Sequence, residues 1–291
     1  MTQSNSHTPF YRQMIDLLQN ALNLLDGQGK AEVLQFIIGQ QNADGGFKDR
    51  GGRSDLYYSL FGAMLLKASP LNPPKGDLLN GSGALHQLRQ FIIHQSSLKI
   101  PGFIEQCCLA LLQKELKTGG FTRLKTFIQL SRSFWKERYS INLSYRSFVL
   151  FLTLDAVLPF PGLLTFGAGK MLKRTTVDQH SPCSEVAAKV FLQKMLGENG
   201  ATEVELLKSY ADKWGGFRAF HHVEQQDMLS TAVALFALDF AGSDLRLLKP
   251  TCLDFIQENY SEGAILSGDG DQTQDVEYTF YGLLALGVLA A

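Results

Sequence analysis

Asp55, Asp227 and Asp275 each stand just ahead of a largely apolar run, and Glu277 follows two positions after the last of them. A carboxylate ahead of a helix accepts from the free N–H groups of its first turn, so capping accounts for an aspartate at such a place. Capping does not account for a second acid entering an otherwise apolar run, as Glu277 does. A carboxylic acid buried against apolar surface, with another carboxylate nearby, keeps its proton to higher pH, which is the condition for a general acid. Asp269 and Asp271 lie just upstream, so three aspartates offer oxygens to Mg²⁺ or Ca²⁺. Their spacing does not build a calcium loop, and a solvated acidic turn is the preferred reading.

Two further groups carry residue types that bind zinc: His221, His222 and Glu224 ahead of Asp227, and His180 with Cys183. Neither has the spacing of a finger or a metalloprotease motif, so zinc is not expected at either. His221 is read as a polar group at the mouth of a binding site or as plain surface. Lys48, Arg50 and Arg53 surround Gly51 and Gly52, in a loop able to meet a diphosphate or carboxylate head group, although exposed loop charge is the commoner case. Tyr57, Tyr58, Tyr145, Phe148, Phe236, Phe280 and Tyr281 fall on apolar runs. Aromatic faces stabilise cations, yet core packing is their ordinary role.

The elements that must position these groups are helices. Apolar residues recur at i, i+3, i+4 and i+7 almost throughout, and strand alternation is nearly absent. Segments begin near Tyr11, Lys30, Ser54, Ala84, Gly102, Phe121, Ile141, Ser184, Thr202, Gln226, Leu245 and Thr273, separated by Gly, Pro, Asn, Asp or Ser, so about twelve helices are expected. Three stretches align with one another: QQNADGGFKDRGGRSDLYYSLFGAMLL from Gln40, SYADKWGGFRAFHHVEQQDMLSTAVALFAL from Ser209 and ENYSEGAILSGDGDQTQDVEYTFYGLLAL from Glu258. In each, an amphipathic helix ends in a glycine-bearing turn with an apolar residue, Phe47, Phe217 or Ile265. An Asp then opens a second, more apolar helix. The first helix suits an outer layer, and the second must be covered on both sides. Repeated hairpins bury these faces only by stacking on one another. An all-α protein of about six helical hairpins is therefore expected, as one domain over residues 9–291 after a disordered tail at 1–8.

The chain has 27 basic and 28 acidic residues and no dominant basic run, which argues against a nucleic-acid partner. Cys107, Cys108, Cys183 and Cys252 form no CxxC pair, and free thiols in a reducing compartment are expected. The N-terminus has neither the basic start nor the apolar stretch of a signal peptide, so a cytoplasmic location is expected. Phe148 to Gly169 is strongly apolar, but Asp155, Pro159 and Pro161 interrupt it before a membrane-spanning length is reached. Lys170, Lys173 and Arg174 follow, so residues 148–174 could touch a bilayer surface; a buried helix and packed loop is the plainer reading.

QQNADGGF and DKWGGF, each followed by an Asp-led apolar helix, resemble the repeats of squalene-cyclase-type terpene cyclases and protein prenyltransferase β subunits. That resemblance covers about half the chain and is faint between Ala84 and Gly200. It implies an α/α toroid, a closed (α/α)6 barrel around an aromatic-lined isoprenoid pocket. Zinc prenyltransferases of this family use a D-x-C pair and a later His. Here Asp227 is present, but Leu229 and Tyr278 stand where the Cys and His belong, so zinc transfer chemistry is not expected.

Proton-initiated cyclases of the family carry DxDDT, whose middle acid donates to an alkene. This chain reads DVEYT from Asp275 to Thr279, with Tyr278 replacing the second Asp of the pair. The resemblance thus implies Glu277 as general acid, with Asp275, Tyr278, Asp227 and Asp271 around it. Because the partner carboxylate is missing, an epoxide or polarised double bond is an easier substrate than a plain alkene. Tyr57, Tyr58, Asp55, His221, Phe236 and Tyr281 would contact the substrate. The expected activity is a cyclisation or isomerisation of an isoprenoid or similar apolar chain, of the isomerase or lyase kind, without a cofactor; Mg²⁺ is the secondary reading. The rivals are a non-catalytic prenyl-lipid binding protein, a prenyltransferase-type transferase lacking the usual zinc ligands, and a scaffold with a filled centre.

Overall fold

The computed structural model describes residues 8–69, 81–98, 100, 102–118, 123–136, 143–157 and 176–291. The chain is all-α. Twelve helices run among these residues: α1 (Phe10–Leu24), α2 (Gly27–Gly39), α3 (Leu56–Ala68), α4 (Gly81–Gln95), α5 (Phe103–Glu115), α6 (Arg123–Lys136), α7 (Leu143–Val157), α8 (Cys183–Met195), α9 (Ala201–Lys208), α10 (Met228–Ala241), α11 (Lys249–Glu258) and α12 (Val276–Ala290). Three antiparallel ladders of two residues per strand sit in the repeat turns: β1 (Phe47–Lys48) with β2 (Ser54–Asp55), β3 (Phe217–Arg218) with β4 (Gln226–Asp227), and β5 (Tyr260–Ser261) with β6 (Ala264–Ile265). The first two share a register, Phe47 opposite Asp55 and Phe217 opposite Asp227, whereas in the third Ile265 pairs with Tyr260.

The three aspartates end the turns as helix caps. Asp55 Oδ1 accepts from Tyr57 N and Tyr58 N, Asp227 Oδ2 from Ser230 N, and Asp275 Oδ1 from Tyr278 N. Four positions after each Asp, a buried hydroxyl accepts the N–H of the apolar turn residue. Ser59 Oγ takes Phe47 N at 2.9 Å, Thr231 Oγ1 takes Phe217 N at 2.8 Å, and Thr279 Oγ1 takes Ile265 N at 3.2 Å. Seven positions after each Asp the residue is small: Gly62, Ala234 and Gly282. A methyl group on Gly62 would lie 2.6 Å from the Phe47 ring, and one on Gly282 2.5 Å from Ile265. The turn thus plugs its apolar side chain into the helix that follows it.

That helix is the covered one. α3, α10 and α12 are apolar on nearly every side, so each must lie between other helices. α3 packs on α5, α5 on α7, α7 on α8, α8 on α10, α10 on α12, and α12 also on α3. The more polar helices lie against this series: α2 and α4 against α3, α4 and α6 against α5, α6 against α7, α9 against α8 and α10, and α11 against α12.

α1 packs on α3, α7 and α12, burying Tyr11, Met14, Ile15, Leu18 and Leu22 at helical spacing. Pro9 at its N-cap offers no side-chain acceptor; Asp155 of α7, 145 residues away, takes the Phe10 N–H at 2.8 Å instead. The acid that interrupts the apolar run of α7 is therefore a buried partner for the start of another helix. Arg12 of α1 also reaches Glu115 of α5 at 3.5 Å, and Lys67 of α3 pairs with the same carboxylate. The four cysteines are buried thiols, none of them in a disulfide. Residues 158–175, with Lys170, Lys173 and Arg174 of the expected membrane contact, lie outside the described residues. No helix among the described residues is long and apolar enough to cross a membrane.

Candidate functional site

Where the inner helices converge lies an apolar cavity of about 100 Å³, and α1, α3, α5, α7, α8, α10 and α12 all contribute side chains to it. Tyr57, Phe61, Phe148, Phe191, Phe236 and Tyr281 supply an aromatic lining. Rings stack along one side, Phe191 with Phe240 at 4.5 Å and with Phe236 at 5.7 Å between centroids. On the other side, Tyr57 meets Phe61 edge-on at 4.7 Å, and Phe61 lies 5.5 Å from Tyr281.

Glu277 does not itself line this cavity; it stands behind Tyr57, which does. The Tyr57 hydroxyl donates to Glu277 Oε1 at 2.9 Å and lies 3.5 Å from the Tyr281 hydroxyl. Burial holds the Glu277 carboxyl above its ordinary value, and the neighbouring charge of Asp275 adds to this. The Tyr57 hydrogen bond, the Tyr58 phenol close by and the Arg50 charge pull the other way without cancelling it. An acid that keeps its proton longer than usual thus faces the cavity through a phenol. The Tyr58 phenol is itself raised, chiefly by burial and then by Glu277.

Asp275 is engaged from two sides. Its Oδ1 caps α12, and its Oδ2 accepts from Arg50 Nε at 3.0 Å. Arg50 donates further to Asp271 Oδ2 at 2.9 Å and lies 5.1 Å above the Tyr278 ring. Asp271 is held below its ordinary value, chiefly by hydrogen bonds from Thr273, with Arg50 adding to them. Of the three loop cations considered for a head group, Arg50 therefore serves as an internal latch between the first and last repeats. Tyr278 is half-buried under it, outside the cavity lining, with its phenol raised mainly by burial.

Asp227 spends its carboxylate on Ser230, accepting from both N and Oγ, and burial holds it above its ordinary value against those bonds. Asp55 and Tyr58 lie in an open depression with Asp49 and Glu105, and this depression shares Tyr57 and Ile104 with the cavity. His221 is elsewhere: its ring lies 4.0 Å from that of Tyr210, and its Nε2 is 3.3 Å from Ser209 Oγ. His222 is exposed beside Phe220. The Cys183 thiol lies 3.9 Å from the Ser230 carbonyl. Asp269 accepts from Ser267 and from Asp271 N, and so shapes its own turn. Among the described residues, no group of three or more His, Cys, Asp or Glu side chains is arranged to hold a metal ion.

The structure thus brings together Glu277, Asp275, Tyr278, Tyr57, Tyr58 and Tyr281, whereas Phe236 lies across the cavity and Asp227 and His221 belong to a neighbouring turn. Sequence reading missed Arg50 as the partner of Asp275, and missed Tyr11 and Met14, which bring α1 into the cavity wall. The signal for α1 was its amphipathic stripe, which has no repeat partner of its own. No family model, curated protein or solved structure matches the chain.

Proposed function

We propose that this chain is a closed α/α toroid that binds a small apolar molecule, an isoprenoid or a compound like it, at its centre. The observation that carries this reading is the central cavity, lined by seven helices and almost wholly apolar. Closure into one domain is supported by contacts between the first and last repeats: α12 on α3, Arg50 with Asp275, and Tyr260 Oη with Glu32 Oε2 at 2.9 Å. A built apolar hollow is the usual form of a small-molecule site. Its volume is of the order of the roughly 150 Å³ engineered cavity that admits benzene, so a short ligand is favoured, and a long prenyl chain would need α1 to withdraw. Native mass spectrometry and solvent extraction of the purified protein test this; a bound apolar compound is expected, and failure of every short isoprenoid to bind would remove the reading.

A second reading, proton-initiated isomerisation or cyclisation of that ligand, is favoured by one contact. Glu277, with its raised affinity for a proton, bonds to Tyr57 on the cavity wall. In that case protonated Glu277 donates to the Tyr57 oxygen, the reverse of the hydrogen bond in the structure, and replaces the proton that the phenol passes to the substrate double bond or epoxide. Turnover that survives intact in Glu277→Gln would leave binding as the whole function.

A further inference from the structure

Exposed apolar side chains are concentrated in one sector. Of the nine exposed large hydrophobic residues among the described residues, five, Ile93, Leu98, Leu124, Ile128 and Trp135, fall between α4 and the end of α6, and Leu24, Trp214, Leu247 and Tyr260 are scattered elsewhere. α6 has two apolar faces. Leu130 and Phe134 are buried against Phe103 and Cys107 of α5 and Phe151 of α7. Leu124, Ile128 and Trp135, at i, i+4 and i+11, lie together on another face, with 67%, 40% and 56% of their surface exposed. Leu98, half exposed, borders the same open groove as Leu124 and Ile128.

Charge follows the same sector. α6 carries Arg123, Lys125, Arg132 and Lys136 and no acid, and Lys125, Arg132 and Lys136 project next to the apolar row. From residue 81 to residue 136 there are eight lysines and arginines against two glutamates, in a chain whose net charge is −1. One of those two, Glu115, is already paired with Lys67 and Arg12. The cations are spaced along helices rather than run together, which hides them from a scan for basic runs.

We propose that this outer face of α6, with Leu98 beside it, docks on an anionic phospholipid surface. A helix with an apolar row, an interfacial Trp and flanking cations lies in the plane of such a surface, the row among the acyl chains and the cations at the head groups. A nucleic acid would satisfy the cations but leave Leu124, Ile128 and Trp135 in water. Lys and Arg also extend apolar stems along the interface while their charges reach phosphate. The contact lies on the outer layer and does not depend on what fills the cavity.

Vesicle sedimentation with the full chain tests it, using phosphatidylcholine alone and phosphatidylcholine mixed with phosphatidylglycerol. Binding to the mixed vesicles only, weakened by added salt, is expected. In a Trp214→Phe background, Trp135 fluorescence should shift to the blue and be quenched by brominated lipid. Reversing Lys125, Arg132 and Lys136 to Glu together should cut partitioning more than about tenfold, while circular dichroism shows the helices retained; should that variant misfold, quenching of Trp135 with its cations intact decides. Binding to neutral and anionic vesicles alike, no binding to either, or a Trp135 signal untouched by brominated lipid would overturn the proposal. So would a charge-reversed variant that loses RNA binding or changes its oligomeric state while vesicle binding persists.

Discussion

Tyr57 and Glu277, 220 residues apart in the chain, are joined by a 2.9 Å hydrogen bond from the phenol to Oε1. The bond ties the first turn of α3 to the first turn of α12, and it sets an acid behind the aromatic wall of the cavity. Opposing effects act on Glu277: burial and the Asp275 charge favour its neutral form, whereas donated hydrogen bonds and the Arg50 charge favour its anion.

Burial is the larger effect, so pH should reveal it. The folded-state pKa of Glu277 lies above the ordinary 4.5, and the folded protein therefore binds this proton more tightly than the unfolded chain does. Its contribution to stability is complete below pH 4.5 and is lost as pH rises through the folded value. Glu277→Gln has no such loss. Thermal midpoints of the two proteins, followed upward from pH 4.5, should diverge in favour of the Gln variant; parallel curves would show a carboxyl with no extra hold on its proton. Tyr57→Phe, which removes a donor to the anion, should steepen the decline.

The Arg50 latch makes a separate prediction. The Asp275 side chain is 4% exposed and its Oδ2 faces Arg50, whose own side chain is 40% exposed. Removing one partner of a fully buried pair costs about 3–5 kcal/mol, and the exposure of Arg50 lowers this, so Arg50→Met should cost about 2 kcal/mol in urea unfolding. Asp275 keeps its bond from Tyr278 N in the variant, so α12 should retain its helical signal. Arg50→Met with unchanged stability would mean that the latch contributes nothing to joining the two repeats.

Much of this was legible in the residues. Twelve helix starts, the three Asp caps and the all-α class follow from periodicity and turn chemistry, because both are local. Ser59, Thr231 and Thr279 were legible in hindsight at a constant offset from the caps, but their partners lie in the preceding turn, and nothing local marks a hydroxyl as an acceptor for Phe47, Phe217 or Ile265. Asp155 read as an interruption because its partner, Phe10 N, is 145 residues away. Arg50 read as loop charge for the same reason. The acid-led helix was found, yet its acid faces Tyr57 rather than open space, since the side-chain direction depends on how α3 and α12 meet.

The hydroxyls support their own test. Thr231 Oγ1 accepts from Phe217 N and donates to the Asp227 carbonyl, both at 2.8 Å, and the residue is fully buried. Thr231→Val keeps the shape and orphans a buried N–H, which costs about 1–3 kcal/mol. Thr231→Ser keeps the bond and should lose less. Ser59→Ala is expected to act in the same direction in its own repeat. A Val variant as stable as the unaltered chain beside a destabilised Ser variant, in chemical denaturation, would mean that packing of the methyl matters and the hydrogen bond does not.

Filling the cavity separates a binding site from a packing flaw. Ala187 on α8 is buried and lines the hollow opposite Phe61 and Tyr57 of α3. Ala187→Leu adds apolar contacts where none exist, so it should leave stability unchanged or raise it, because a dry void has no partner atoms to lose. Benzene, as a small apolar probe, should raise the unfolding midpoint of the unaltered chain; at a hundredfold excess over Kd the stabilisation is about 2.7 kcal/mol. The Leu variant should show little of that rise. A variant that is destabilised would mean that the space is too narrow for three more carbons, and one that still gains as much from benzene would place the apolar site elsewhere in the molecule.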